Sequence, residues 1–256
     1  MPRLHRGGDT VVYTHDATAS THAPSIVFLP GFRSHRTGDK ATHLRALAKA
    51  SGWAFTAIDY RGHGESSGDF ERFGVADWAD DAAGVLDALT CGPHILVGSS
   101  MGAWIAVCVA LSQPDCIAAA VTVAAAPDFT EDLLWPSLSA QDQDALRNGH
   151  TVHRPSDYGD GPYPISASLI ERSRHALVLR NPIPLRCPLR ALHGEQDPDV
   201  PIRQSEALLQ HWQGDDKHLI RIPDGDHRLS RPEDLTLLSD TVAEAVAAWS
   251  SQPRSI

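Results

Sequence analysis

A five-residue run, Gly98-Ser99-Ser100-Met101-Gly102, sets a serine hydroxyl two positions from a glycine on either side. That G-x-S-x-G spacing suits a nucleophile. A serine in a sharp, strained turn projects its hydroxyl clear of the backbone, and small flanking residues let a strand and a helix pass closely. The same run also occurs as an ordinary glycine-softened turn, so its setting decides. Ahead of it, His94-Ile95-Leu96-Val97 reads as a buried strand; behind it, Trp104, Ile105, Val107, Val109 and Leu111 point all round a helix. Strand, sharp turn and fully buried helix are what a nucleophile elbow needs, and Ser100 is the expected nucleophile.

A serine hydroxyl is weakly nucleophilic at neutral pH and needs a hydrogen-bonded base oriented by a buried carboxylate. In this type of elbow the partners follow in the order acid, then histidine. Leu192-His193-Gly194-Glu195-Gln196-Asp197 supplies an acid directly after a strand, and Asp197 is the choice. Asp199 is a close alternative across Pro198, and Glu195 follows the strand end too soon. With 14 histidines in the chain, position must select the base. His227, in Ile222-Pro223-Asp224-Gly225-Asp226-His227, follows the last strand, whereas His94 and His193 read as packed or turn residues. An oxyanion hole needs two backbone N–H groups aimed at the developing charge. Met101, next after the nucleophile, offers one. Pro30-Gly31-Phe32 lets a second loop approach, and since proline has no N–H, Phe32 is the expected second donor. The Asp59-Tyr60-Arg61-Gly62-His63-Gly64-Glu65-Ser66 run resembles a catalytic cluster but reads as structural, a turn in which Asp59 and Arg61 brace neighbouring loops.

Positioning these groups requires alternating strands and helices. Apolar runs at 25–29, 53–59, 94–97 and 117–124 read as strands covered on both faces, with two more at 189–193 and 218–222. Between them, Val75, Trp78, Ala82, Val85, Leu86 and Leu89 recur in steps of three and four, and Leu235, Leu238, Val242, Val246 and Trp249 repeat the pattern near the end. The expected class is α/β, one domain over residues 1–256, with a mostly parallel central sheet and helices on both faces. Residues 127–186 break the alternation, with helical fragments, Pro/Gly turns and no convincing strand; they are expected to form a helical cap insertion. Within it, 138–148 is a charged, soluble helix. The face of Ile165, Leu169, Ala176 and Leu177 either covers a pocket or packs on the core. Trp135, Tyr158, Tyr163 and Leu169 are candidate pocket residues, ordinary packing being the competing role for each. Residues 250–256 are expected to fray.

The formal charge of -10, without a clustered Lys/Arg run, argues against nucleic acid or an anionic membrane as partner. Residues 91–114 carry no charge over a length that could span a bilayer, but Gly98-Ser99-Ser100 interrupts them, so no membrane span is expected. Cys91, Cys108, Cys116 and Cys187 lack C-x-x-C spacing and fit free thiols in a reducing compartment. The first residues show no signal peptide, and the expected location is cytoplasmic. No H-E-x-x-H or Gly-rich loop with a following lysine appears; no metal or cofactor is expected.

The Pro-Gly loop, D-x-R-G-x-G-x-S turn, serine elbow and late Asp and His stand in the order of the α/β-hydrolase fold family, which the chain resembles over almost its whole length. More narrowly, Leu29-Pro30-Gly31-Phe32, the segment from Gly92 through Gly102, Asn181-Pro182-Ile183-Pro184, Cys187-Pro188-Leu189-Arg190 and Asp226-His227-Arg228 resemble the branch containing mitochondrial palmitoyl-protein thioesterase and acyl-glucuronide esterase. That branch has Pro where many relatives carry His before the oxyanion glycine, as Pro30 does here. The resemblance implies Ser100, Asp197 and His227 as triad, the Phe32 and Met101 amides as oxyanion hole, and hydrolysis of acyl esters or thioesters, on small molecules or on acylated protein. The chain departs from the mitochondrial member in showing no transit peptide. A C–C bond hydrolase, lactonase or perhydrolase would use the same triad, and a ligand-binding protein without turnover would keep the fold; the complete set of catalytic residue types argues against the last.

Overall fold

Apolar runs with no solvent-facing side lie next to one another at the centre of the molecule. The computed structural model describes residues 1–18, 23–89, 92–155 and 161–251. In chain order the elements are β1 (Arg3–Arg6), β2 (Asp9–Asp16), β3 (Ser25–Leu29), α1 (Asp39–Ser51), β4 (Phe55–Asp59), α2 (Val75–Ala88), β5 (His94–Ser99), α3 (Met101–Ser112) and β6 (Ile117–Val123). There follow α4 (Trp135–Ser137), α5 (Ala140–Arg147), β7 (Val152–Arg154), β8 (Tyr163–Ile165), α6 (Ala167–Ser173), β9 (Leu189–Gly194), α7 (Arg203–His211), β10 (Lys217–Ile222) and α8 (Pro232–Ser250). Eight strands form one sheet in the order β1-β2-β4-β3-β5-β6-β9-β10. β2 runs antiparallel to β1 and β4, and every other pairing in that sheet is parallel.

Both faces of the sheet are covered, which is why β4, β5 and β6 are apolar nearly throughout. On one face Trp78 and Val85 of α2 pack with Trp104, Ile105 and Val109 of α3. On the other, Leu44 and Ala48 of α1 meet Leu238, Val242 and Val246 of α8. α3 is the most enclosed helix, buried at Met101 through Val107, although Leu111 in its last turn is exposed. Successive strands depart from β3 in opposite directions, β4 on one side and β5 on the other. In open α/β sheets the crevice outside the carboxyl ends at such a switch point is where ligands bind. The loop after β3 and the turn holding Ser100 both open there.

Two features depart from the sequence expectation. β1 and β2 form a hairpin whose Gly7 and Gly8 both adopt positive φ, 55° and 90°, the pairing a tight two-residue turn needs. The charged residues of Arg3–Arg6 hide this strand from any test for apolar runs. Within 127–186, β7 and β8 make a two-stranded antiparallel ribbon where no strand was expected. Pro164 sits in β8, where a ribbon with two edges tolerates a missing donor. The helix expected over 138–148 is α5, capped by the Ser139 hydroxyl accepting the Asp142 amide at 3.1 Å. The 127–186 stretch is pinned at both ends: buried Asp128 accepts the amides of Val178 and Leu179 at 2.8 and 2.9 Å, and Trp104 Nε1 donates to Ala176 O at 2.7 Å. Tyr158, Cys91 and residues 252–256 lie outside the described residues. No helix among the described residues is long and apolar enough to cross a membrane.

Candidate active site

Ser100 stands between β5 and α3 at φ 54° and ψ −117°, a backbone conformation that side chains disfavour. Three hydrogen bonds hold it there: its amide donates to Val123 O at 2.8 Å, and its carbonyl accepts from Ala103 N at 3.0 Å and Ala126 N at 3.3 Å. The flanking glycines are needed for contact. A Cβ on Gly98 would lie 2.6 Å from Ala103 Cα, and one on Gly102 2.6 Å from Pro30 O, so any side chain at either position would force strand, helix and loop apart.

The loops after β9 and β10 are zipped together by Glu195 N donating to Ile222 O at 2.9 Å and Gln196 N to Gly225 O at 3.0 Å. This zipper brings Asp197 to His227. Asp197 Oδ2 accepts from His227 Nδ1 at 2.7 Å, and His227 Nε2 lies 3.1 Å from Ser100 Oγ. Asp197 Oδ1 takes the amides of Asp199 and Val200 at 2.9 and 2.8 Å. The Asp199 carboxylate, the sequence alternative, comes within 4.8 Å of the same groups, but Asp197 is the acid that meets His227 Nδ1. Burial of Asp197, whose side chain is 1% exposed, pushes its carboxyl up, yet hydrogen bonds from His193 and His227 outweigh this and hold it well below the usual carboxylate range. It is a fixed negative charge behind the imidazole. His193, read from sequence as a packed residue, is fully buried with Nε2 3.4 Å from Asp197 Oδ2 and Nδ1 2.7 Å from Ser205 Oγ. Its spacing of four residues before Asp197 was the one available hint of that contact.

The 31–34 segment after β3 lies against the serine. A Cβ on Gly31 would sit 3.4 Å from Ser100 Cβ and 3.2 Å from Ser99 O, so this loop approaches by backbone alone. Ser34 N donates to Gly31 O at 3.0 Å, closing a turn with Phe32 and Arg33 in the middle. Among the described residues nothing accepts the Phe32 amide, and Met101, first residue of α3, has an amide without an intrahelical acceptor. Neither amide has an acceptor among the described residues, and the positive end of α3 lies at Ser100.

Beside this loop is an aromatic cluster. The Phe32 ring meets Phe70, Tyr163, Phe129 and Trp78 edge-on at 5.2, 5.8, 6.0 and 6.2 Å. Of the sequence candidates for a pocket, Tyr163 is in this wall, Leu169 is buried in the core, and Trp135 packs under Arg147 and Arg174. Phe129 was missed, because no local pattern marks a residue whose neighbours are remote in sequence. The Asp59 to Ser66 turn is braced as expected: Asp59 and Arg36 form a buried ion pair, and Arg61 Nε bonds Asp81 at 2.7 Å.

The chain matches the model of the alpha/beta hydrolase family over residues 26–237. It is 34% identical over 224 residues to a mitochondrial palmitoyl-protein thioesterase of Rattus norvegicus, covering 87% of this chain and 75% of that one. A putative hydrolase from Agrobacterium vitis S4 superposes with a TM-score of 0.91 at 33% identity, covering 96% of this chain and 97% of that one. Mouse alpha/beta hydrolase domain-containing protein 10 superposes at 0.86 with 31% identity, over 96% and 98% of the two chains. With this sheet order, this coverage and these likenesses, the chain belongs to the alpha/beta hydrolase family.

Proposed function

We propose that the protein is a serine hydrolase that cleaves carboxylic esters or acyl thioesters through an acyl-enzyme on Ser100. The observation that carries this reading is the 3.1 Å contact of His227 Nε2 with Ser100 Oγ, made while Asp197 holds Nδ1 at 2.7 Å. His227 removes the hydroxyl proton as Ser100 attacks the acyl carbonyl; the Phe32 and Met101 amides receive the oxyanion. The tetrahedral adduct collapses as His227 gives its proton to the leaving alcohol or thiol. Water, activated by the same imidazole, then releases the acid. Asp197 keeps the proton of neutral His227 on Nδ1 and favours the imidazolium between steps.

Residues 127–186 act as a cap on a single domain, and the wall of Phe32, Phe129 and Tyr163 favours an apolar acyl group. The thioesterase among the relatives supports a thioester, carried by a small molecule or by an acylated protein. The location we propose is a reducing compartment, the cytoplasm, which the free thiols of Cys108 and Cys187 fit, although the thioesterase relatives are mitochondrial. The test is turnover of p-nitrophenyl esters of graded chain length beside an acyl thioester, for the wild type and Ser100→Ala. The wild type should prefer apolar acyl groups, and the folded variant should lose about 10⁴-fold or more in kcat. A Ser100→Ala protein that kept full turnover would remove the nucleophile from the scheme.

A further inference from the structure

The turn that offers the Phe32 amide is held in a costly form. Its first central residue, Phe32, has ordinary φ, whereas its second, Arg33, has φ 54°, the arrangement of a type II turn that normally requires glycine there. Rotating the Phe32–Arg33 peptide by a half-turn would return Arg33 to negative φ. What opposes that flip is an acceptor for the amide that would move. Arg33 N donates to His63 Nε2 at 3.3 Å, and His63 Nδ1 lies 3.4 Å from Arg61 O. The two contacts assign the tautomer: the proton is on Nδ1, and Nε2 is the acceptor.

His63 is suited to this. It is 3% exposed and enclosed edge-on by Trp78, Phe70 and Tyr60 at 4.9, 5.0 and 5.4 Å. Burial pushes its imidazole down to about 4, and the Arg33 charge acts in the same direction, so the ring stays neutral and able to accept. Asp69 and Glu71 line the cavity of about 290 Å³ that it shares with Arg33, while Arg61 is tied to Asp81 and Asp59 to Arg36. Phe70 and Trp78, which enclose His63, also pack on the Phe32 ring. The same histidine therefore fixes the turn through its backbone and supports its side chain.

We propose that His63 is a positioning residue of the oxyanion hole: by accepting the Arg33 amide, and by packing with Phe70 and Trp78 against the Phe32 ring, it anchors the 31–34 turn in place and so holds the neighbouring Phe32 amide in position. The inference rests on the Ser100 acyl-enzyme reading. Oxyanion donors act only when pre-organised, so a turn that has lost this anchor and shifts against the serine weakens transition-state binding more than ground-state binding.

His63→Phe keeps a ring and removes the acceptor; His63→Gln keeps an acceptor and removes the ring. Each is assayed for ester kcat and KM, for inhibition by a trifluoromethyl ketone, which forms a tetrahedral adduct on the serine, and by the product carboxylic acid. His63→Phe should lose about tenfold in kcat at unchanged KM, less than the roughly 10²–10³-fold of a deleted donor, and bind the ketone about tenfold more weakly with product-acid binding unchanged. His63→Gln should recover to within about threefold of the wild type on both readouts. Wild-type kcat and ketone affinity in His63→Phe overturn the inference, as does a His63→Gln protein as impaired as His63→Phe, which would make the role one of packing alone. Should His63→Phe fail to fold, a tenfold loss in folded His63→Gln overturns it too. A wild type that neither turns over esters nor binds the ketone overturns the hydrolase reading; an active wild type with an indifferent His63→Phe overturns the positioning role alone.

Discussion

Replacing Asp197 by asparagine changes one atom and tests the geometry behind Ser100. The two carboxylate oxygens are not equivalent. Oδ1 faces the amides of Asp199 and Val200 at 2.9 and 2.8 Å, so an NH₂ group cannot stand there; the asparagine must place its carbonyl at Oδ1 and its NH₂ at Oδ2. That NH₂ then donates toward His227 Nδ1, where the carboxylate accepted at 2.7 Å. His227 must carry its proton on Nε2, facing Ser100 Oγ at 3.1 Å, and can no longer take the serine proton. A wrong-tautomer imidazole costs about 10⁴-fold in kcat, on the order of 5.5 kcal/mol. Stopped or continuous ester hydrolysis, with circular dichroism to show an unchanged fold, measures it. Asp199→Asn is the control: Asp199 serves Asp197 through its backbone amide, so the loss should stay within about fivefold. An Asp197→Asn enzyme retaining more than a tenth of wild-type kcat, or an Asp199→Asn enzyme losing 10³-fold, would refute the assignment of the acid.

Other perturbations have equally definite outcomes. Gly98→Ala sets a Cβ 2.6 Å from Ala103 Cα and N, and should destabilise the fold by about 1–3 kcal/mol in urea titration while lowering activity; an unchanged midpoint would contradict the close strand–helix passage. Asp59→Ala strands Arg36, whose side chain is 2% exposed and, among the described residues, keeps only Glu65 as carboxylate partner, and should cost about 3 kcal/mol in the same assay. Because the Asp197 carboxyl is held below its unfolded value, its stabilising contribution is complete above that value and is lost as the pH falls below about 4. The Tm of the wild type relative to Asp197→Asn should therefore drop between neutral pH and pH 3, and a difference independent of pH would contradict it.

What could be read along the chain was what local pattern encodes. β4, β5 and β6 are apolar nearly throughout, rather than at alternate positions, because helices cover both faces, and that pattern shows in the sequence without knowing the neighbours. Gly98, Ser100 and Gly102 announce a close passage for the same local reason. The charged β1 strand and the proline-containing β8 give no such signal, since each sits at an edge where solvent satisfies half its groups. The His193 contact to Asp197, the Phe129 wall and the His63 acceptor are products of tertiary packing between residues from 4 to 97 positions apart. His63 is the instructive case: its motif was read as structural, and it is by structure, through one hydrogen bond to Arg33, that it reaches the candidate site.

The most direct measurement is intact mass followed by peptide mapping after mixing the protein with a fluorophosphonate, and separately after quenching turnover of an acyl thioester in acid. A Ser100 nucleophile predicts one phosphonyl adduct per chain, and one transient acyl adduct, each on the peptide bearing Ser100 and both absent in Ser100→Ala. Turnover with adducts on another residue, or a folded wild type that takes no label, would contradict the mechanism at its first step.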